Sequence, residues 1–175
     1  WPDGIFANFY ANKRKTPGRK FFKKIINFLN KSKKKNKIYI LGNLPNVSKS
    51  WMSKELKSDF DHIKLPYGNI KTIKKNIYSL RFENNSLVIL TLPTPKQEII
   101  GNIILKKNAK LNIICIGGSI NILSGYETEA PEIFNTLNME WLWRLRFDTK
   151  RRFMRLMQSF ILLCKIKILN KNDIF

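Results

Sequence analysis

The sequence predicts an α/β fold, a Rossmann-like and mostly parallel sheet flanked by helices, with a basic amphipathic helical appendage at the C-terminus. Residues 38–41 (IYIL) and 87–92 (LVILTL) are almost continuously apolar, which is typical of strands that are buried on both faces. Residues 111–116 (LNIICI) repeat this pattern. Amphipathic stretches separate the three runs, and such alternation favours right-handed βαβ units in a parallel sheet.

Apolar side chains at helical spacing predict helices between these strands. The predicted helices cover residues 46–57, residues 71–80, and a stretch from Pro95 to about Lys107. Residues 62–65 are predicted to form a weaker strand. Ligands of such sheets bind beyond the carboxyl ends of the strands. We therefore expect the ligand site at three such strand ends, which are Gly42-Asn43, Leu92-Pro93-Thr94 and Gly117-Gly118-Ser119.

The composition combines a core-forming share of apolar residues with a large excess of positive charge. The 175 residues include 33 Lys and Arg against 12 Asp and Glu, and 43% are hydrophobic, too many for a disordered basic tail. The formal net charge of +21 indicates a polyanionic partner such as nucleic acid, anionic lipid or a phosphorylated substrate. Two cysteines and one histidine cannot build a convincing zinc site, and the sequence shows no metal-binding cluster of carboxylates. We expect neither a metal nor a cofactor. Cys115 is predicted to be a buried free thiol.

Two flanking segments differ from the predicted core. Residues 13–37 contain twelve Lys or Arg and no acid, and they are predicted to form a solvated or membrane-facing helix. The apolar side of this helix consists of Phe21, Phe22, Ile25, Ile26 and Leu29. Residues 139–175 form a basic, aromatic-rich segment that is predicted to be largely helical, and we place the boundary of the Rossmann-like domain at residue 138.

The segment Thr94-Pro95-Lys96-Gln97 carries the strongest local signal. Thr94 is predicted to be an N-cap with Pro95 at the first helical position, and Gln97 completes a capping box. A helix start that follows a buried strand also turns its N–H groups and positive dipole end toward the ligand crevice, where Lys96 adds a full charge. From the residues alone, a plain helix start and a nucleotide-diphosphate site remain equal alternatives.

Several motifs together resemble the WecG/TagA/CpsF glycosyltransferases, glycosyltransferase family 26. They are Pro95-Lys96-Gln97-Glu98, the strand into Gly117-Gly118, Gly125, Ala130-Pro131, Glu140-Trp141-Leu142-Trp143-Arg144-Leu145, Pro2-Asp3-Gly4, Thr16-Pro17-Gly18-Arg19 and Ile40-Leu41-Gly42-Asn43-Leu44-Pro45. The resemblance covers nearly the whole chain. The Thr-x-Asn segment that precedes Pro-Asp-Gly in the family is absent, and we expect the chain to be truncated at its N-terminus.

The resemblance implies an inverting, metal-independent transferase. It would move a sugar from a UDP-sugar to an undecaprenyl-diphosphate-linked saccharide in bacterial surface polysaccharide synthesis, at the cytoplasmic face of the membrane. Asp3 is then expected to be the general base, and Arg144 to stabilise the departing diphosphate. The expected nucleotide-binding residues are Gly42, Asn43, Thr94, Lys96, Gln97, Gly117, Gly118, Arg151, Arg152 and Arg155. Residues 139–175 are expected to contact anionic lipid, and no nucleic acid is expected as a partner.

Other readings of the sequence remain open. Asp3 lies in a Pro-Asp-Gly tripeptide, which is commonly a turn, and the C-terminal aromatic residues can pack on the core while the arginines are solvated. The charge also fits a basic nucleic-acid-binding protein, although no RNP, zinc-finger or KH pattern is present. A third reading is an inactive, membrane-bound remnant of the transferase.

The sequence departs from the family pattern at four places. Leu90-Thr91-Leu92-Pro93 replaces a glycine-rich strand end, and Asn121 replaces an Asp after the glycines. Glu129 replaces an Arg before Ala-Pro, and Lys15 replaces an Arg in the short early motif. These substitutions put the detailed donor contacts in question.

Overall fold

The structure is a computed structural model that describes residues 18–33, 36–66 and 68–136, and isolated positions between 139 and 161. The chain divides into two compact units, residues 1–129 and residues 130–175. The boundary that we placed at residue 138 stays a prediction.

The first unit is built on a four-stranded parallel sheet, which confirms the predicted α/β class. Its strands are β1 (Ile38–Leu41), β2 (Phe60–Ile63), β3 (Leu87–Leu90) and β4 (Asn112–Cys115), in the order β2-β1-β3-β4. Ile38 lies opposite Phe60 on one side and opposite Leu87 on the other, and Leu87 pairs with Asn112. Because every pairing is parallel, the carboxyl ends of all four strands lie at one edge of the sheet, which we call the carboxyl edge.

Helices cover both faces of this sheet. They are α1 (Gly18–Lys31), α2 (Asn46–Glu55), α3 (Ile70–Ser79), α4 (Lys96–Lys107) and α5 (Ser119–Leu123). Ile38 and Ile40 of β1 pack in one core cluster with residues of α1, α2 and α5. Tyr39 and Leu41 pack in a second cluster with residues of α3 and α4. Successive strand residues face opposite sides, so a strand covered on both faces is apolar at every position, as the sequence predicted for β1 and β3.

Strand β2 begins two residues earlier than predicted. Residues 62–65 were expected to form the strand because of Ile63 and Leu65, whereas the observed strand is Phe60–Ile63. Its register is set by β1, whose four residues pair with Phe60 to Ile63. Leu65 is buried in the following loop, where its carbonyl accepts a hydrogen bond from Asn43 Nδ2 (2.8 Å). Burial of Leu65 therefore produces the apolar pattern without extending the strand.

The predicted basic helix is confirmed as α1, and its apolar side belongs to the core. Phe22 and Ile26 are buried, and their burial contributes about 2–3 kcal/mol each to stability. At the end of α1, Asn30 Nδ2 donates to the Glu55 carbonyl (2.7 Å), and Asn30 Oδ1 accepts from the Lys57 N–H (2.9 Å). These bonds fasten the C-terminal end of α1 to that of α2.

The second unit contains the short helix α6 (Glu132–Thr136). The rings of Phe134 and Trp143 lie 5.5 Å apart between centroids, at an interplanar angle of 50°. The Met139 N–H donates to the Phe134 carbonyl (2.7 Å). In the parts of the chain that the structure describes, no helix has both the length and the hydropathy to cross a bilayer.

The end of β1 is packed tightly against the end of β3. Gly42 has a φ of +136°, and a Cβ at this position would overlap Thr91 Oγ1. Thr91 Oγ1 donates to the Leu41 carbonyl (3.1 Å), which holds the hydroxyl beside Gly42. Both the backbone conformation and the lack of space therefore require glycine here.

We predict that Gly42→Ala destabilises the protein by about 3 kcal/mol, because it adds steric overlap to backbone strain. Gly68→Ala is the matched control, since Gly68 has a φ of +123° but no atom within 4 Å of its added Cβ. The control should cost about 1–2 kcal/mol from strain alone. Urea unfolding measures both values, and equal losses would show that the contact with Thr91 is unimportant.

Candidate functional site

The carboxyl edge contains a topological switch point between β1 and β3. From β1 the chain passes through α2 to β2 on one side, whereas from β3 it passes through α4 to β4 on the other. Helices α2 and α4 lie on opposite faces of the sheet. The loops that follow β1 and β3 therefore diverge, and ligands of open α/β sheets bind in the crevice that such loops form.

Gln97 joins the loop after β3 to the loop after β4. Its side chain is only 8% exposed, and its Oε1 accepts a hydrogen bond from the Gly117 N–H (2.9 Å). Its Nε2 donates to Thr94 Oγ1 (3.2 Å) and to Glu98 Oε1 (2.9 Å). Gly117 meets Gln97 in a left-handed conformation, with a φ of +53°. The structure thus brings together the predicted site residues Thr94, Gln97 and Gly117.

The predicted capping box at Thr94 is wrong. The N-cap of α4 is Pro95, which makes no side-chain capping bond, and the helix begins at Lys96. Thr94 Oγ1 instead donates to Glu98 Oε1 (3.1 Å) and accepts from Gln97 Nε2. The side chains of Gln97 and Glu98 engage the threonine hydroxyl, and this local bonding competes with backbone capping.

The first N–H groups of α4 are also less available than predicted. The Pro93 carbonyl accepts from the N–H groups of Lys96 (2.9 Å) and Gln97 (3.4 Å). What α4 does bring to the carboxyl edge is the Lys96 ammonium group. Lys96 Nζ donates to the Gly68 carbonyl (2.6 Å) in the loop before α3. Lys96 therefore spans from the loop after β3 to the loop after β2, along the carboxyl edge.

The predicted site residues Gly42 and Asn43 form the part of the edge that follows β1. Gly42 donates its N–H to the Ile63 carbonyl (3.1 Å), and its own carbonyl lies 2.8 Å from His62 Nε2. The Asn43 amide group is bonded to the Leu65 carbonyl. Both residues thus fix the loop after β2 against the end of β1, so their observed roles are in shaping the edge.

Asn121, which departs from the family pattern, is part of a polar cluster beside Gly118. Asn121 Oδ1 accepts from the buried Ser48 Oγ (2.9 Å), and Asn121 Nδ2 donates to Glu127 Oε1 (3.2 Å). A Cβ on Gly118, the N-cap residue of α5, would lie 3.8 Å from Glu127 Oε1. An aspartate at position 121 could not donate to Glu127 and would set two carboxylates together.

Glu129 stands where the family has an arginine before Ala-Pro, and its carboxylate pairs with a positively charged side chain. Arg19 Nε donates to Glu129 Oε1 at 2.5 Å, and Arg19 is only 7% exposed. An arginine at position 129 would place a second cation against Arg19. The bond joins the start of α1 to the loop after α5, so this departure is accommodated by a residue far away in the sequence.

The Cys115 thiol lies at the end of β4 and is half-buried. Burial and, to a smaller extent, the nearby Glu98 carboxylate together raise the pKa of Cys115 to about 11. The thiol therefore stays protonated near neutral pH and is a poor nucleophile. Within residues 18–33, 36–66 and 68–136, no three His, Cys, Asp or Glu side chains cluster in a way that would hold a metal ion.

A cavity of about 150 Å³ lies at the opposite, amino edge of the sheet. It is lined by Leu80, Arg81, Phe82, Ile104, Lys107 and Asn108. Lys107 Nζ already donates to the carbonyls of Tyr78 (2.5 Å) and Leu80 (2.8 Å). Because no loops diverge from a switch point there, we place the candidate site at the carboxyl edge.

Five predicted site residues lie outside the residues that the structure describes. They are Asp3, Arg144, Arg151, Arg152 and Arg155. Their roles stay predictions. Conversely, sequence reasoning missed Thr91, His62 and Gly68, which shape the edge through contacts with Gly42 and Lys96. The only signal for them was their nearness to predicted strand ends, since Thr91 and His62 lie within predicted strands and Gly68 lies shortly after one.

Comparison with known proteins identifies the family of this chain. The sequence profile described as the glycosyl transferase WecG/TagA/CpsF family matches residues 3–173. The chain belongs to this family. The resemblance seen in the sequence motifs is therefore confirmed over almost the whole chain.

A curated relative in the WecG/TagA/CpsF family comes from Bacillus subtilis (strain 168). It is an N-acetylglucosaminyldiphosphoundecaprenol N-acetyl-beta-D-mannosaminyltransferase, and it is 29% identical over 153 residues. The match covers 82% of this chain and 59% of the relative. The chain thus spans about three-fifths of the length of this relative.

We predict that Asn121→Asp destabilises the protein by about 1–2 kcal/mol, because it removes a donor to Glu127 and adds a like charge. Adding Glu127→Gln to this variant should restore most of the loss, since the glutamine amide group can donate to the new carboxylate. Glu127→Gln alone is the control. Urea unfolding of the three variants measures the coupling, and strictly additive effects would contradict the proposed contact.

Proposed function

We propose that this chain provides the nucleotide-sugar site of a glycosyltransferase that acts on an undecaprenyl-diphosphate-linked saccharide. The observation that carries the proposal is the topological switch point between β1 and β3, with the Lys96 ammonium group at the same carboxyl edge, in a chain of the WecG/TagA/CpsF family. The name of the Bacillus subtilis relative specifies an undecaprenol-diphosphate-linked acceptor. The product would be an intermediate of a bacterial surface polysaccharide.

A UDP-sugar is the donor in this proposal, and its diphosphate lies near Lys96. An ammonium group that already reaches across the edge to the Gly68 carbonyl can turn to an incoming phosphate, which is a stronger partner. Gly117 and Gly118 lack side chains, which leaves room for a ligand beside the loop after β4. Gln97 keeps this loop and the Lys96 loop at a fixed separation.

The transfer is proposed to be a single displacement that inverts the anomeric carbon. The acceptor hydroxyl oxygen forms a bond to that carbon while the bond from the carbon to the UDP oxygen breaks. Asp3 takes the hydroxyl proton, and UDP leaves with the electron pair of the broken bond. Lys96 and the arginines at positions 144, 151, 152 and 155 supply the positive charge that stabilises this leaving group.

The site is proposed to work at the cytoplasmic face of the membrane, because its acceptor is carried by a membrane lipid. Residues 139–175 contain Arg151, Arg152 and Arg155 among aromatic residues, a composition that favours anionic headgroups and the bilayer interface. In this proposal, the same arginines serve membrane contact and the departing diphosphate.

We predict that Lys96→Met weakens UDP binding about tenfold and leaves uridine binding unchanged, because Lys96 acts on the diphosphate. Lys110→Met is the matched control, since it removes the same charge from an exposed residue that precedes β4, at the amino edge. Calorimetric titration of the original chain and of both variants, each with UDP and with uridine, measures these affinities. Equal weakening of UDP and uridine would show that Lys96 only supports the loops.

We predict that Asp3→Asn lowers sugar transfer at least about a hundredfold and leaves UDP affinity nearly intact, because the base acts on the acceptor. The assay uses the full-length protein with a UDP-sugar and a lipid-diphosphate-linked acceptor, and UDP titration in parallel. Equal losses of transfer and UDP binding would contradict the assigned role. UDP binding without transfer by the full-length, unsubstituted protein would favour an inactive remnant.

A further inference from the structure

The outer face of α1 carries several lysines and no acidic residue. Phe22 and Ile26 are buried on the inner face, and a helix turns 100° per residue, so positions 20, 24, 27 and 31 lie on the opposite side. The exposed residues of α1 are Lys20, Lys23, Lys24, Asn27, Phe28 and Lys31. We call these six residues the α1 outer face. They contain four ammonium groups and no carboxylate.

Phe28 gives this face an apolar element that the fold does not use. Its side chain is 71% exposed, although it lies one turn from Lys24 and three residues from Lys31. A large aromatic ring surrounded by lysines is the composition of a helix that lies in a membrane interface, with its cations at the headgroups. The charge continues beyond the helix, since residues 13–37 contain twelve Lys or Arg and no acid.

The position of α1 also suits a surface contact beside the candidate site. The bonds of Asn30 to Glu55 and Lys57 hold the C-terminal end of α1 to that of α2, a helix that starts at the carboxyl edge. The N-terminal end of α1 therefore points toward the carboxyl edge, as the bond from Arg19 to Glu129 in the loop after α5 also indicates. A surface that covers the α1 outer face would lie alongside the crevice.

We propose that the α1 outer face binds an anionic phospholipid bilayer, as a contact additional to residues 139–175. Lysines near a bilayer that contains anionic lipid attract its surface, and an exposed phenylalanine inserts at the interface. The fold holds the helix rigid through its buried inner face, so binding costs little ordering of the chain. This contact does not rest on sugar transfer, because vesicle binding needs neither donor nor acceptor.

The test compares two charge-matched triple variants in vesicle co-sedimentation. The first, Lys20→Gln, Lys24→Gln and Lys31→Gln, changes the α1 outer face. The second, Lys71→Gln, Lys75→Gln and Lys106→Gln, removes the same charge from exposed residues of α3 and α4 on the other side of the sheet. The vesicles contain phosphatidylglycerol in phosphatidylcholine, with pure phosphatidylcholine as the neutral comparison.

The α1 variant should bind the anionic vesicles at least about tenfold more weakly than the original chain, and the control variant about twofold more weakly. Phe28→Ser should weaken anionic binding several-fold without a loss of charge. Retained UDP binding and unchanged circular dichroism show that the variants are folded, and they separate this result from a failure of the proposed function.

Equal losses in the two triple variants would overturn the proposal, because only net charge would then matter. Undiminished vesicle binding by the α1 variant would overturn it as well and would assign the contact to other residues. Binding of generic DNA is measured with the same proteins. A loss of DNA binding that exceeds the loss of vesicle binding would show that the face serves nucleic acid instead.

Discussion

The side chain of Gln97 holds the carboxyl edge of the sheet in one arrangement. Its oxygen takes the Gly117 N–H, and its nitrogen serves Thr94 and Glu98, so its amide group joins two loops that belong to different strands. Gln97 itself is only 8% exposed, so its amide group is largely removed from water. Loss of a bonded partner in such a place costs the full desolvation of the group that remains. The positions of Lys96 and Gly117 both depend on this residue.

The strands could be predicted because the way a strand packs determines which residue types it contains. A strand covered on both faces must be apolar throughout, and β1 and β3 are. The order of the strands cannot be read from residue type in this way, because it depends on which strands pair with each other. The sequence therefore predicted that ligands bind beyond the strand ends, but it could not place the switch point between β1 and β3.

Predictions from local sequence rules failed where a side chain had other hydrogen-bond partners available. Thr94 has the residue type and spacing of an N-cap, yet its hydroxyl bonds to Gln97 and Glu98. Contacts between distant residues also explain two departures from the family pattern. Asn121 bonds to Ser48, 73 residues away, and Glu129 bonds to Arg19, 110 residues away. No rule based on sequence spacing connects residues this far apart. The sequence alone therefore provided no reason for either departure from the family pattern.

The account as a whole states that a nucleotide occupies the carboxyl edge at the switch point. Backbone amide chemical shifts during a UDP titration test this most directly, because each residue reports separately. The largest changes should fall on Gly42, Thr91 and Gly117, with little change at Ser86 and Leu111 at the amino edge. Changes concentrated around Lys107 and Asn108, with the carboxyl-edge amides unmoved, would contradict the account.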